Sequence, residues 1–165
     1  MPKIFNSLHY PNFRRYFIGH TLSTLGTWIQ QVALAWLVYE MTNSATLLGL
    51  IAFFAMAPQL VISPFVGALI DKINKRSALI VVQFLFFSQS ALLAFLTYFN
   101  LLNSISIITL SLILGIFTAI DTPLRQAFIS DLVDEKQNIG NALALNAMIF
   151  NLCRFIGPPI AGFLL

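Results

Sequence analysis

Five stretches, about residues 16–39, 46–70, 77–98, 104–124 and 141–165, run almost without a charged side chain. Each is close to the roughly 20 residues that carry an α-helix across a bilayer. Nothing else in the chain limits its folding as severely. Hydrocarbon offers no water to take up exposed backbone N–H and C=O groups, so a spanning segment must satisfy them within itself, as a helix does. The expected fold class is all-α: a polytopic transmembrane helix bundle of five helices over residues 16–165, preceded by a mixed amino-terminal segment, residues 1–15. Hydrophobic residues make up 58% and charged residues 9% of the chain, with a mean hydropathy of +0.85. Soluble domains hold about 45–50% apolar and about 25% charged residues, so this balance argues against a water-soluble fold.

The formal net charge is +3, but the placement of the charges matters more than their sum. The connections Glu40-Met41-Thr42-Asn43-Ser44 and Asn100-Leu101-Leu102-Asn103-Ser104 hold no Lys or Arg. Lys3, Arg14, Arg15, Lys72, Lys75, Arg76, Arg125 and Lys136 fall on the other side of the predicted spans. Basic residues are retained on the cytoplasmic side, which places the amino terminus and the second and fourth connections inside. Confined in this way, they point to the lipid bilayer as partner and not to nucleic acid. Trp36, Tyr39 and Tyr98 lie near predicted outer ends, where amphipathic rings prefer the headgroup region.

No short apolar core with a small-residue cleavage site opens the chain, so the first span is expected to stay in the mature protein. The last span stops at Gly162-Phe163-Leu164-Leu165 without a polar flank, the ending expected of a truncated product, a gene fragment or a trimmed chain. The one cysteine, Cys153, lies inside a span; no intrachain disulfide follows, and no Cys/His set has metal-ligand spacing. Neither a metal nor a cofactor is expected. An intramembrane enzyme is not expected either: His9 lies outside the spans, His20 stands alone, and no intramembrane serine sits in a glycine-flanked nucleophile motif.

Polar residues inside the spans are the candidate functional groups. His20, Thr24, Thr27 and Gln31 recur at offsets of four, three and four, which puts them on one helix face. That face serves either as interhelical hydrogen-bonding glue or as the wall of a substrate or coupling cavity, and His20 is either a packing residue or a proton carrier. Arg154 lies about 14 residues, or roughly 21 Å of helix, beyond Gly140. A charge near a helix centre costs at least about 2.5 kcal/mol on insertion scales, so Arg154 should face the interior with a partner, for which Asn151 is the local candidate. Its role is either structural or one of anion attraction and gating. On the fourth span Thr118, Asp121, Thr122 and Arg125 share a face, with Asp121 and Arg125 at the four-residue spacing that lets side chains meet. Arg125 can snorkel, whereas the shorter Asp121 should meet a basic residue, with Lys75 and Arg76 in the adjacent connection expected. Pro58 and Pro64 punctuate the second span and Gly157-Pro158-Pro159-Ile160-Ala161-Gly162 the fifth. These positions either interrupt corresponding helices of two repeats, as in transporters, or allow close packing.

The connection Gly67-Ala68-Leu69-Ile70-Asp71-Lys72-Ile73-Asn74-Lys75-Arg76 resembles the loop between the second and third helices of the major facilitator superfamily, whose pattern runs G-x-L-x-D-R/K-x-G-R/K-R/K. Gly67, Leu69, Asp71, Lys72, Lys75 and Arg76 match it. Asn74 stands where glycine is usual, which suits a left-handed position because Asn also visits that region. The resemblance implies a cytoplasmic charge latch of Gly67, Asp71, Lys72, Lys75 and Arg76, joined by Asp121 and Arg125.

The stretch Asp121-Thr122-Pro123-Leu124-Arg125-Gln126-Ala127, the run Asn141-Ala142-Leu143-Ala144-Leu145-Asn146, then Asn151, Arg154, Gly157-Pro158 and Ala161-Gly162 look like the branch containing the enterobactin exporter and macrolide efflux proteins. The fifth span is also similar to the antiporter motif G-x-x-x-G-P-x-x-G-G, with Cys153 and Ala161 in place of two glycines. The resemblance implies the first five helices of a major facilitator fold in a bacterial inner membrane. The complete protein would export drugs, macrolides or siderophores by alternating access with proton antiport, its carboxy-terminal half lying beyond this sequence. Candidate cavity residues are His20, Thr24, Thr27, Gln31, Asn146, Asn151 and Arg154, and Gly157, Pro158 and Gly162 would bend the fifth helix. The first span lacks the embedded carboxylate of some proton-coupled exporters, which leaves coupling to Asp121 or to the absent half. The alternatives are a non-transporting structural or assembly subunit and an inactive fragment; the charged second connection favours the transporter.

Overall fold

The computed structural model describes residues 7–133 and 136–165, and all of its long elements are helices. They are α1 (Pro11–Thr42), α2 (Ala45–Leu69), α3 (Lys75–Tyr98), α4 (Ser104–Asp131) and α5 (Lys136–Leu164), with a 3-10 turn over Ile70–Lys72. No strand occurs among the described residues, in line with the all-α class. Lys3 and the side chain of Lys136 lie outside the described residues. The helices α2 to α5 are each long and apolar enough to cross a membrane. α1 is longer but more mixed, with Arg14, Arg15, His20, Gln30, Gln31 and Glu40 spread along it.

Several helices outrun their apolar cores: α1 starts at Pro11 instead of near 16, α4 continues to Asp131, and α5 begins at Lys136. Hydropathy marks the part of a helix that suits lipid, whereas capping groups mark where the helix stops. Asn43 ends α1 in the left-handed region (φ 49°), its N–H bonded to Tyr39 O at 2.8 Å. Asn100 does the same after α3 (φ 53°) in a Schellman arrangement, with Leu101 N–H on Leu96 O and Asn100 N–H on Thr97 O. Side-chain oxygens of Ser44 and Asn74 accept from Leu47 N and Ser77 N to start α2 and α3. Asn103 and Ser106 exchange reciprocal bonds at the start of α4.

Two packing units result, Met1–Leu37 with Phe128–Leu165, and Val38–Ala127. In the first, α1 and α5 run parallel: contacts climb in step from Ser7 on Asn141 to Tyr16 on Asn146, Thr21 on Cys153 and Trp28 on Gly157. Its core gathers Phe13, Ile129, Val133, Ala142 and Leu145. Ser7 Oγ ties the chain before α1 to α5 through Asn138 O (3.1 Å) and Asn141 Oδ1 (2.9 Å). In the second unit α2 and α4 run parallel, from Ala55 on Gly115 to Ser63 on Ala119, and α3 lies antiparallel to α4 through Gln83–Asp121, Phe86–Phe117 and Gln89–Leu110.

Large apolar side chains lie outward along every helix, among them Leu60 at 83% exposed and Phe163 at 91%. Such a surface suits lipid and not water. Trp36, Tyr39 and Tyr98 also lie outward, as interface anchors must.

Candidate functional site

The two sets of sequence-predicted site residues fall in different packing units: the cavity candidates from His20 to Arg154 in the first, and the latch candidates from Gly67 to Arg125 in the second.

In the first unit the structure joins His20, Thr24 and Asn146 through a residue that spacing alone did not single out, Tyr16. Its hydroxyl reaches Asn146 Oδ1 at 3.5 Å, and its ring stacks on His20 at 5.6 Å. His20 Nδ1 and Thr24 Oγ1 are 3.1 Å apart and both residues are buried. Thr27 and Gln31 do not join them: Thr27 Oγ1 donates to Ser23 O, and Gln31 is exposed. The polar stripe thus runs from buried His20 and Thr24 through half-buried Thr27 to exposed Gln31.

Arg154 has a partner other than the one expected. Asn151 turns back to donate to Ala147 O at 2.8 Å, while the Arg154 guanidinium lies 5.7 Å from the centroid of the Trp28 ring. Phe150 meets the same indole edge-on at 5.7 Å. Gly157 packs on it so tightly that an added Cβ would stand 2.6 Å from Trp28 Cβ. A cation over an indole gains about 0.5–2 kcal/mol, less than the cost of at least about 2.5 kcal/mol for placing it at a helix centre. The ring therefore compensates Arg154 only in part.

The glycine-proline segment does not break α5, which continues through Pro158 and Pro159 to Leu164. Cys153, Gly157 and Ala161 are instead buried, and the first two meet α1, with Gly157 against Trp28 and Cys153 Sγ donating to Thr21 O at 3.6 Å. A Cβ on Gly162 would meet nothing, so that residue is not needed for close approach.

In the second unit Asp121 meets Arg125, not Lys75 or Arg76. Arg125 Nε and Nη2 donate to Asp121 Oδ2 and Oδ1 at 2.9 and 2.8 Å, and Gln83 Nε2 adds a third bond at 3.2 Å. Arg125 is buried, and one helical turn holds the fork and the carboxylate at bidentate distance. Pairing the charges this way leaves α4 locally neutral.

Two prolines in this unit free carbonyls that the facing helix covers. Pro58 has no N–H for Phe54 O, and Gly115 sits against that oxygen, where a Cβ would stand 2.8 Å away and 2.7 Å from Ala55 O. Pro123 has none for Ala119 O, and Ser63 Oγ supplies the donor at 3.0 Å. Beside these contacts opens a cleft of about 620 Å³, lined by Phe53, Met56 and Leu60 and by Gln59 and Thr122, which are themselves hydrogen-bonded at 3.4 Å.

The α2–α3 connection presents Gly67, Asp71, Lys72 and Arg76 outward and half-buries Lys75, while buried Ile70 anchors it. Asn74 is not in a left-handed conformation: at φ −73° it is extended and its side chain caps α3. Asparagine replaces the family glycine here because it is a good N-cap, not because it tolerates positive φ.

Residues 3–165 match a family described as transmembrane secretion effectors. The staphyloferrin A transporter of Staphylococcus aureus (strain NCTC 8325 / PS 47) is 38% identical over 151 residues, covering 91% of this chain and 38% of that protein. Macrolide efflux protein A of Streptococcus pyogenes is 22% identical over 152 residues, covering 92% of this chain and 37% of that protein. The chain thus spans less than two-fifths of the length of either relative. No solved structure matches it.

Proposed function

The chain belongs to the transmembrane secretion effector family of major facilitator transporters, and from that premise we propose that it supplies the first five helices of a bacterial inner-membrane exporter of siderophores or macrolides, driven by proton antiport. Its family and relatives are transporters, not enzymes, and it is a multi-pass membrane protein. The carrying observation is the α2–α3 connection, where Asp71, Lys72 and Arg76 are exposed around a turn held by buried Ile70 and the Asn74 cap.

Charges held rigidly outside the packed helices can engage a second set of helices in one state and release them in another, as alternating access requires. In this reading Asp71, Lys72, Lys75 and Arg76 form a cytoplasmic latch with the carboxy-terminal half, and the Asp121–Arg125 pair anchors α4 beneath it. The amino terminus is cytoplasmic, and α1 crosses the membrane beside α5 with its polar stripe toward the transport path. His20, Thr24, Thr27, Gln31, Asn146, Asn151 and Arg154 line or support that path.

Cells stripped of their own exporters and expressing the full-length protein should accumulate less macrolide, or secrete more siderophore, than cells carrying an empty vector. Equal accumulation and secretion for every compound in both classes would overturn the export reading.

A further inference from the structure

Between residues 16 and 39 α1 carries no formal charge, and from Asn138 to Leu164 α5 carries one, Arg154. That side chain is exposed, and three features of the α1–α5 contact fix where it can point. Phe150, Arg154 and Gly157 recur at intervals of four and three on α5, and all meet the single indole of Trp28. Gly157 lets the α5 backbone reach Trp28 Cβ, and the Phe150 edge sets the plane of the ring. The guanidinium then lies over it at 5.7 Å.

A guanidinium has five N–H donors in a planar fork. The indole contact uses attraction to the ring face and satisfies none of the N–H groups through an oxygen, so the fork stays available for a bidentate acceptor. Around it stand the apolar Phe150, 45% exposed, and Phe155, 79% exposed, while the exposed Asn151 one turn earlier is turned back onto Ala147 O. An incompletely compensated cation among apolar and aromatic groups selects a ligand with both features.

We propose that Arg154, held over Trp28, binds the anionic group of an amphipathic small molecule, a carboxylate on an apolar or aromatic body. The transport role of this site rests on the export reading above; the binding itself does not.

The chain has two tryptophans, so Trp36→Phe leaves Trp28 as sole fluorophore. In phosphatidylcholine nanodiscs this variant is titrated with 4-nitrobenzoate and with 4-nitrobenzylammonium, isosteric quenchers of opposite charge. The expected result is saturable quenching of Trp28 by the benzoate at about a tenfold lower concentration than by the ammonium, the gain of one good ionic contact. Arg154→Gln should erase that preference and Arg154→Lys should retain part of it. Equal quenching by both probes, or a preference that survives Arg154→Gln, overturns the proposal. Should the Gln variant fail to fold, the comparison of the two probes on the Trp36→Phe protein decides alone. Phosphatidylglycerol added to the nanodiscs tests a lipid phosphate as occupant: abolished benzoate quenching would assign the site to lipid and overturn the small-molecule reading, and unchanged quenching supports it. The titration contains no transport step, so failure of export and failure of this site are read separately.

Discussion

Ser63 Oγ donates to the carbonyl oxygen of Ala119 at 3.0 Å, and that oxygen is the one Pro123 leaves without its helical donor. A proline inside a lipid-facing helix is tolerable when a neighbouring helix covers the freed group, and here the donor comes from α2. Ser63→Ala should destabilise the protein by about 0.5–1.5 kcal/mol. In a Pro123→Ala background residue 123 regains its N–H, so the same substitution should cost close to nothing. Unfolding of the four proteins in detergent gives this double-mutant cycle. An equal cost in both backgrounds would contradict the pairing.

Glycine substitutions separate close approach from idle positions. Gly115→Ala drives a Cβ into backbone atoms of Phe54 and Ala55, and Gly157→Ala drives one into Trp28 Cβ. Each should lower stability by about 1–3 kcal/mol, because neither obstacle is a flexible side-chain end. Gly162→Ala meets nothing and should be neutral or stabilising by up to about 1 kcal/mol through helix propensity. Thermal unfolding ranks the three, and equal melting temperatures would refute the packing argument.

Asp121→Asn removes one side of a buried bidentate pair and leaves the Arg125 charge behind. The expected loss is about 3 kcal/mol, whereas Asp121→Asn with Arg125→Gln should lose less, since both members of the pair leave together. A double variant less stable than the single one would contradict this coupling.

The α2–α3 turn predicts two different outcomes from neighbouring residues. Asn74→Ala should cost about 1 kcal/mol by removing the cap on Ser77 N, and Asn74→Gly only a few tenths. Arg76→Gln, exposed in the first turn of α3, should change stability by less than about 0.5 kcal/mol. It should still slow transport, which separates the latch from the scaffold.

How much of this was legible in the sequence follows from what each signal measures. Apolar runs found all five helices because lipid demands length and hydropathy, but they missed the polar ends of α1, α4 and α5, where capping and contacts such as Ser7–Asn141 decide. Helical spacing found the Asp121–Arg125 pair, which needs one helix alone. It did not find Tyr16 beside Asn146, Gln83 on Asp121 or Trp28 under Arg154, because each joins residues distant in sequence. For the same reason sequence proximity points Arg154 to Asn151 and Asp121 to Lys75 and Arg76, where the structure has Trp28 and Arg125. The loop pattern at 67–76 identified the family but misread Asn74, whose cap depends on backbone angles that a residue name does not carry.

The proposed proton-driven export governed by the α2–α3 latch is measured most directly by flux. The full-length protein in proteoliposomes, given an imposed pH gradient and a panel of macrolides and siderophores, should move at least one of them against its concentration. Collapse of the gradient with a protonophore should stop that movement, and Asp71→Asn should abolish it while leaving the melting temperature unchanged. Flux that persists without the gradient and in Asp71→Asn, or no flux of any compound, would contradict the account.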